Sequence, residues 1–167
     1  MGELVALSWK RVDTDNGTIR IAYGQAKDRS LTEPKTSRSR RTIKLPPFAV
    51  SALKAYKAKQ KLASEAPWSD DTFVFQDEFG RPIRVADISG DFRPIAKRAG
   101  LGEEVHPHTL RHTYASLALK AGVPITTVSA NLGHNNTTTT MGVYGHHIPA
   151  TEDAAAVAIQ RAIGGDK

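Results

Sequence analysis

The stretch His106-Pro107-His108-Thr109-Leu110-Arg111-His112-Thr113-Tyr114-Ala115-Ser116-Leu117-Ala118-Leu119-Lys120-Ala121-Gly122 decides how this chain reads. Pro107 suits a first helical turn, where its missing N–H has no partner to lose, and Gly122 is a stop signal. The spacing therefore predicts a helix from Pro107 to Ala121. Leu110, Tyr114, Leu117 and Ala121 recur at amphipathic spacing and are expected to face the core. His108, Arg111, His112 and Ala115 form a second stripe, roughly 140° away at about 100° per residue. That stripe gathers two imidazoles and a guanidinium, with His108 and Arg111 spaced to reach one common atom. Arginine grips phosphate bidentately and histidine exchanges protons near neutral pH, so a phosphate site is one reading. A solvated polar stripe is a second. A metal held by His108 and His112 is a third, although the zincin glutamate between them is absent and no third ligand is obvious.

Outward toward the C-terminus, Pro124 opens a second helix that Gly133 ends, in the run Leu132-Gly133-His134. Thr137 to Tyr144 reads as a short helix, which brings Tyr144 within reach of His134. All six histidines fall in the last 62 residues. Thr151–Ile163 is Ala-rich and carries Ala155, Ile159 and Ile163 at helical spacing, either as an internal packing face or as a contact for a neighbouring subunit.

Outward toward the N-terminus, Val85 to Ala99 reads as a helix, interrupted by Gly90 and Pro94. Thr72-Phe73-Val74-Phe75 reads as an extended segment. Pro46-Pro47 starts a helix with Val50, Leu53, Tyr56 and Leu62 at apolar spacing. Thr18–Tyr23 and Arg41–Leu45 alternate like strands, and Asp15-Asn16-Gly17 signals a turn. Gly2–Trp9 reads as a helix. The expected fold is mainly α with a small antiparallel sheet of two or three strands. Residues 27–44 hold seven Lys/Arg against two acids, among them Lys27, Arg29, Lys35, Arg38, Arg40 and Arg41. This is either a solvated basic loop or a loop over a phosphate backbone with Lys35 reaching in.

Bulk properties set the limits. The 167 residues suit a single domain, with 40 % hydrophobic and 24 % charged residues, ordinary for a soluble globular protein. No apolar run approaches the ~20 residues needed to cross a bilayer, and no signal peptide is evident. Cysteine is absent, which removes disulfides and thiolate metal sites and fits a cytoplasmic protein. The net charge of +6 is uneven. Residues 1–66 hold 14 Lys/Arg against 6 Asp/Glu, while residues 67–167 hold 9 against 11. A basic first half suggests a polyanionic partner.

In order along the chain, these segments resemble the tyrosine recombinase (phage integrase) family. Gly2–Trp9 is similar to the helix after that family's first catalytic arginine. Pro34-Lys35-Thr36 through Arg41–Pro46 is similar to the strand-loop-strand with the catalytic lysine. His108-Thr109-Leu110-Arg111-His112-Thr113 matches the His-x-x-Arg box, Leu132-Gly133-His134 the Leu-Gly-His box, and Tyr144 followed by His146 the nucleophile and its neighbour. The resemblance implies a catalytic domain whose Tyr144 attacks a phosphodiester of double-stranded DNA, forming a 3′-phosphotyrosine. Arg111 and His134 would hold the non-bridging oxygens, Lys35 would protonate the 5′-oxygen, and His108 would assist proton transfer. It implies DNA contacts by Lys27, Arg29, Arg38, Arg40, Arg41, His112 and His146, assembly with other subunits through 151–163, a bacterial or phage origin, and neither metal nor cofactor.

The match departs from the family at its start. Met1 stands in the variable place before Gly2, and the first catalytic arginine would precede it. The expectation is therefore a single catalytic domain over residues 1–167, without that arginine and without the family's N-terminal DNA-clamping domain. Such a chain would cleave poorly and bind DNA weakly and salt-sensitively. Three alternatives stand beside this: a degenerate remnant that only binds DNA or a sister integrase, a metallohydrolase, and a helix-turn-helix regulator. The last rests on the small-Gly-apolar spacing of Ala118, Gly122 and Val128.

Overall fold

A computed structural model describes residues 1–26, 28–33, 40–65, 67–134, 136–147 and Gln160. Lys27, Lys35, Arg38 and nearly all of the expected 151–163 helix lie outside the described residues.

The chain opens with α1 (Gly2–Val5), a single turn rather than a helix to Trp9. The pull comes from the extended segment at 72–75. Val74 N–H donates to the Leu7 carbonyl at 2.8 Å, and Trp9 N–H donates to the Thr72 carbonyl at 3.0 Å. Those bonds take the backbone a longer helix would use, and they seat Trp9 in a cluster with Leu7, Val12 and Val74. A 3-10 turn, Trp9–Arg11, follows.

Next come β1 (Val12–Asp13) and β2 (Thr18–Ile21). The Asp13 carboxylate accepts from the Asn16 N–H at 2.8 Å, and Gly17 takes φ 60° to close the turn between them. β3 (Gly24–Gln25) and β4 (Leu31–Thr32) form a separate antiparallel pair. β5 (Arg41–Lys44) lies against β2 with Ile19 opposite Ile43, giving the order β1-β2-β5, all antiparallel. The sheet content is thus two small sheets where one was expected.

The helices are α2 (Pro47–Ala63), α3 (Val85–Arg98), α4 (Pro107–Lys120), α5 (Ile125–Leu132) and α6 (Thr137–Tyr144). The fold is mainly α with small antiparallel sheets, the expected class. Leu62, grouped with the apolar side of α2, instead points to solvent. At the start of α4, His106 is the N-cap: its Nδ1 accepts from the Thr109 N–H, and its own N–H donates to the Thr109 hydroxyl, both at 3.2 Å.

The expected core face of α4 needs correcting. Leu117 is 61 % exposed, and Leu110 and Tyr114 are also exposed. Ala115 and Leu119 are buried instead, in a cluster with Val128, Leu132 and Tyr144. Periodicity defines two stripes on this helix but not which one neighbours cover. α5 and α6 pack over the Arg111–Ala115–Leu119 side, and the small Ala115 side chain leaves room for the Tyr144 ring. The stripe expected to display chemistry to solvent is thus also the one that meets the core.

Candidate active site

Three helices meet at the site. α4 supplies His108, Arg111 and His112. The end of α5 supplies His134, and the last residue of α6 is Tyr144.

The position of His134 is set by how α5 stops. Gly133 takes φ 70°, its N–H donates to the Ala130 carbonyl at 2.9 Å, and the His134 N–H donates to the Ser129 carbonyl at 3.0 Å. This is the Schellman arrangement, which needs a left-handed residue. A Cβ at this position would also sit 2.7 Å from Arg41 Nη1, so the guanidinium would have to shift.

Two guanidiniums donate to the next carbonyls of α5. Arg41 Nε donates to the Asn131 carbonyl at 2.9 Å, and an Arg111 Nη2 N–H donates to the Leu132 carbonyl. Cations at a helix C-terminus complement its partial negative charge. Arg41 is fixed further by Glu3, whose two carboxylate oxygens accept from Nη1 and Nη2 at 2.7 Å each. Its side chain is only 10 % exposed, so in this arrangement it braces β5 against α1 and α5. Arg111 has no other hydrogen-bond acceptor among the described residues, which leaves the rest of its five-donor fork for a ligand.

His134 lies between these cations. Its Nδ1 is 2.8 Å from the hydroxyl of Thr140, a fully buried residue of α6. Burial first, then the charges of Arg111 and Arg41, push its pKa below the ordinary imidazole value, so the neutral ring is favoured. It lines an open cleft of about 700 Å³ with Arg40, Arg41, Thr126, Ser129 and Ala130.

Tyr144 is buried, its ring among Ala115, Leu119, Val128 and Leu132. Its hydroxyl makes a 2.6 Å hydrogen bond with His112 Nδ1. His108, one turn earlier on the helix, is exposed and meets the edge of His106, with ring centroids 6.3 Å apart. It shares a shallow depression with Met1, Val85 and Ser89. Among the described residues no cluster of three His, Cys, Asp or Glu side chains could hold a metal ion.

The other sequence candidates fall around this centre. Arg40 pairs with Glu33, and Arg29, at φ 68°, pairs with Asp77 at 3.5 Å. His146 follows Tyr144 in the 3-10 turn Gly145–His147 and is exposed. Two contributors were not singled out from sequence. Glu3 looks like an ordinary surface acid of a first helical turn. Thr140 is one of four consecutive threonines, and no pattern marks it off from its neighbours.

Known proteins resemble this chain in sequence and in fold. The family model described as "Phage integrase family" matches residues 1–150. A XerC-like tyrosine recombinase of Caldanaerobacter subterraneus subsp. tengcongensis is 31 % identical over 166 residues, covering 89 % of this chain and 42 % of that protein. An integrase of Streptomyces ambofaciens is 34 % identical over 131 residues, covering 75 % and 34 %. The chain thus spans less than half the length of these curated relatives. The Tn1549 transposon integrase in complex with a circular-intermediate DNA superposes with a TM-score of 0.72 at 25 % identity, covering 97 % of this chain and 54 % of that one. XerA recombinase shares the fold at a TM-score of 0.68. With a family model matching nearly its whole length and relatives above 30 % identity, this chain belongs to the phage integrase family of tyrosine recombinases.

Proposed function

We propose that residues 1–167 act as the catalytic domain of a site-specific DNA recombinase that breaks and rejoins strands through Tyr144. The observation that carries this reading is the Tyr144 hydroxyl bonded to His112 on the helix that also supplies Arg111, whose guanidinium caps α5 and whose charge acts on His134.

A phenol with a pKa near ~10 is a poor nucleophile at neutral pH and needs its proton removed as it attacks. His112 Nδ1 already shares a hydrogen bond with that hydroxyl. Attack by Tyr144 Oη forms the O–P bond of a 3′-phosphotyrosine and breaks the bond to the 5′-oxygen. The phenolic proton passes to the imidazole side of the site, where His108 is a further acid or base. The departing 5′-oxygen takes a proton from Lys35, a role assigned by resemblance to a residue outside the described ones. Arg111, with Nε2 of His134, stabilises the charge on the non-bridging oxygens. Rejoining runs the same steps backward, so phosphodiester energy is conserved in the covalent bond.

Double-stranded DNA is the substrate on this reading, and the Tn1549 integrase has been solved in complex with a circular-intermediate DNA. Lys27, Arg29, Arg38, Arg40 and His146 are proposed phosphate contacts, and a segment over 151–163 is a proposed contact to other subunits. No helix of the described residues is long and apolar enough to cross a membrane, and a cytoplasmic setting is part of the proposal.

The test is a covalent one. The chain is incubated with a labelled library of DNA duplexes and run under denaturing conditions, and the adduct is mapped by mass spectrometry. An adduct at Tyr144 that disappears in Tyr144→Phe is expected. An adduct at another residue, or one that persists in Tyr144→Phe, would overturn the assignment.

A further inference from the structure

We infer that Thr140 is a positioning residue: its hydroxyl donates to His134 Nδ1 and fixes the ring as the Nε2–H tautomer, leaving Nε2–H as the donor offered to a phosphate oxygen. The phosphate half of this inference rests on the function proposed above. The tautomer half stands on the geometry alone.

Thr140 is 0 % exposed and its Oγ1 is 2.8 Å from His134 Nδ1. A hydroxyl carries one proton, and a buried one needs an acceptor. Helical threonines commonly use the carbonyl four residues back, as Thr113 does with Thr109 at 2.9 Å. Another outlet is a nearby side chain, as Thr138 uses the Asn136 amide oxygen at 2.9 Å. The Thr140 hydroxyl has neither, and among the described residues its sole hydrogen bond is to His134.

Were the proton on Nδ1, the imidazole would donate and the threonine hydrogen would be left buried without an acceptor. The doubly protonated ring has the same fault. Only the neutral Nε2–H ring lets both groups be satisfied. Burial and the neighbouring guanidiniums disfavour the charged ring as well. His134 lines the cleft beside Arg40 and Arg41, and with Nδ1 taken by Thr140 the remaining ring nitrogen is the one available to a ligand. In this division of labour Arg111 brings the positive charge, and His134 brings one oriented neutral donor.

The test is nuclear magnetic resonance on the 15N-labelled full chain near pH 7.5, reading the two His134 ring nitrogens by long-range correlation, then titrating with inorganic phosphate. Wild type and Thr140→Ser are expected to show a protonated Nε2 and an unprotonated Nδ1. The near-isosteric Thr140→Val is expected to show a tautomer mixture and about fivefold weaker phosphate binding, the scale of one misplaced hydrogen bond. A proton on Nδ1 in wild type, which needs no variant to observe, overturns the inference. So does a Thr140→Val ring identical to wild type. If the tautomers behave as expected but phosphate leaves His134 Nε2 unshifted, Thr140 keeps its tautomer role and the phosphate reading of the site falls.

Discussion

Tyr144 and His112 are joined by a 2.6 Å hydrogen bond that ties the end of α6 to the second turn of α4. The ring of Tyr144 belongs to the core cluster, and its hydroxyl is the one polar atom of a side chain that is 4 % exposed. One contact therefore serves both stability and, on the proposed reading, the first proton transfer.

The two roles separate in a double-mutant cycle. Tyr144→Phe and His112→Ala should each destabilise the fold by about 1 kcal/mol, the net worth of one hydrogen bond. The double variant should cost clearly less than the sum, because both remove the same contact. Urea denaturation measures this, and strict additivity would show that the bond is absent in solution. Covalent adduct formation should vanish in Tyr144→Phe and fall about 100-fold in His112→Ala, the low end for a lost general base.

Gly133→Ala should destabilise more than Gly122→Ala. Both glycines have positive φ, 70° and 80°, so both variants carry backbone strain of about 1 kcal/mol. Only at 133 does the new Cβ also collide with the Arg41 guanidinium, while at 122 it meets nothing within 4 Å. Thermal melts of the two variants give the comparison, and equal losses would mean that the Arg41 guanidinium moves aside at no cost.

Glu3→Gln should lower stability by about 1–2 kcal/mol, between the values for exposed and buried pairs, because it removes the carboxylate that holds Arg41 against α5. Arg40→Ala, which breaks an exposed pair with Glu33, should change it by less than about 0.5 kcal/mol. Chemical denaturation distinguishes the two.

His134 gives stability a pH dependence of known sign. Its pKa is lowered in the fold, so between the folded and unfolded values the unfolded chain binds more protons. Its contribution is complete above about pH 6.5, the ordinary imidazole value, and is lost as pH falls through the folded value. His134→Gln should flatten that slope. Subtracting the two pH profiles of urea stability isolates the group. A difference with the opposite slope would contradict the lowered pKa.

Much of the site was legible in advance because its chemistry is written in local order. A helix opening at Pro107, the Gly133 stop and the short span from 137 to 144 fix where Arg111, His134 and Tyr144 stand on their elements. Glu3 and Thr140 were not legible, since each acts through a partner far away in sequence or masked by identical neighbours.

The sequence by itself determined the family, the order of the helices and the candidate residues for a phosphate site, because turn signals and side-chain chemistry are local properties. Only the tertiary structure decided which stripe of α4 is covered, since two faces of similar period differ only in what packs on them. It also decided that Arg41 braces the end of α5, that α1 gives way to pairing with the 72–75 segment, and that Thr140 and His112 hydrogen-bond His134 and Tyr144. Each of these depends on contacts between separate elements, and no periodicity records them.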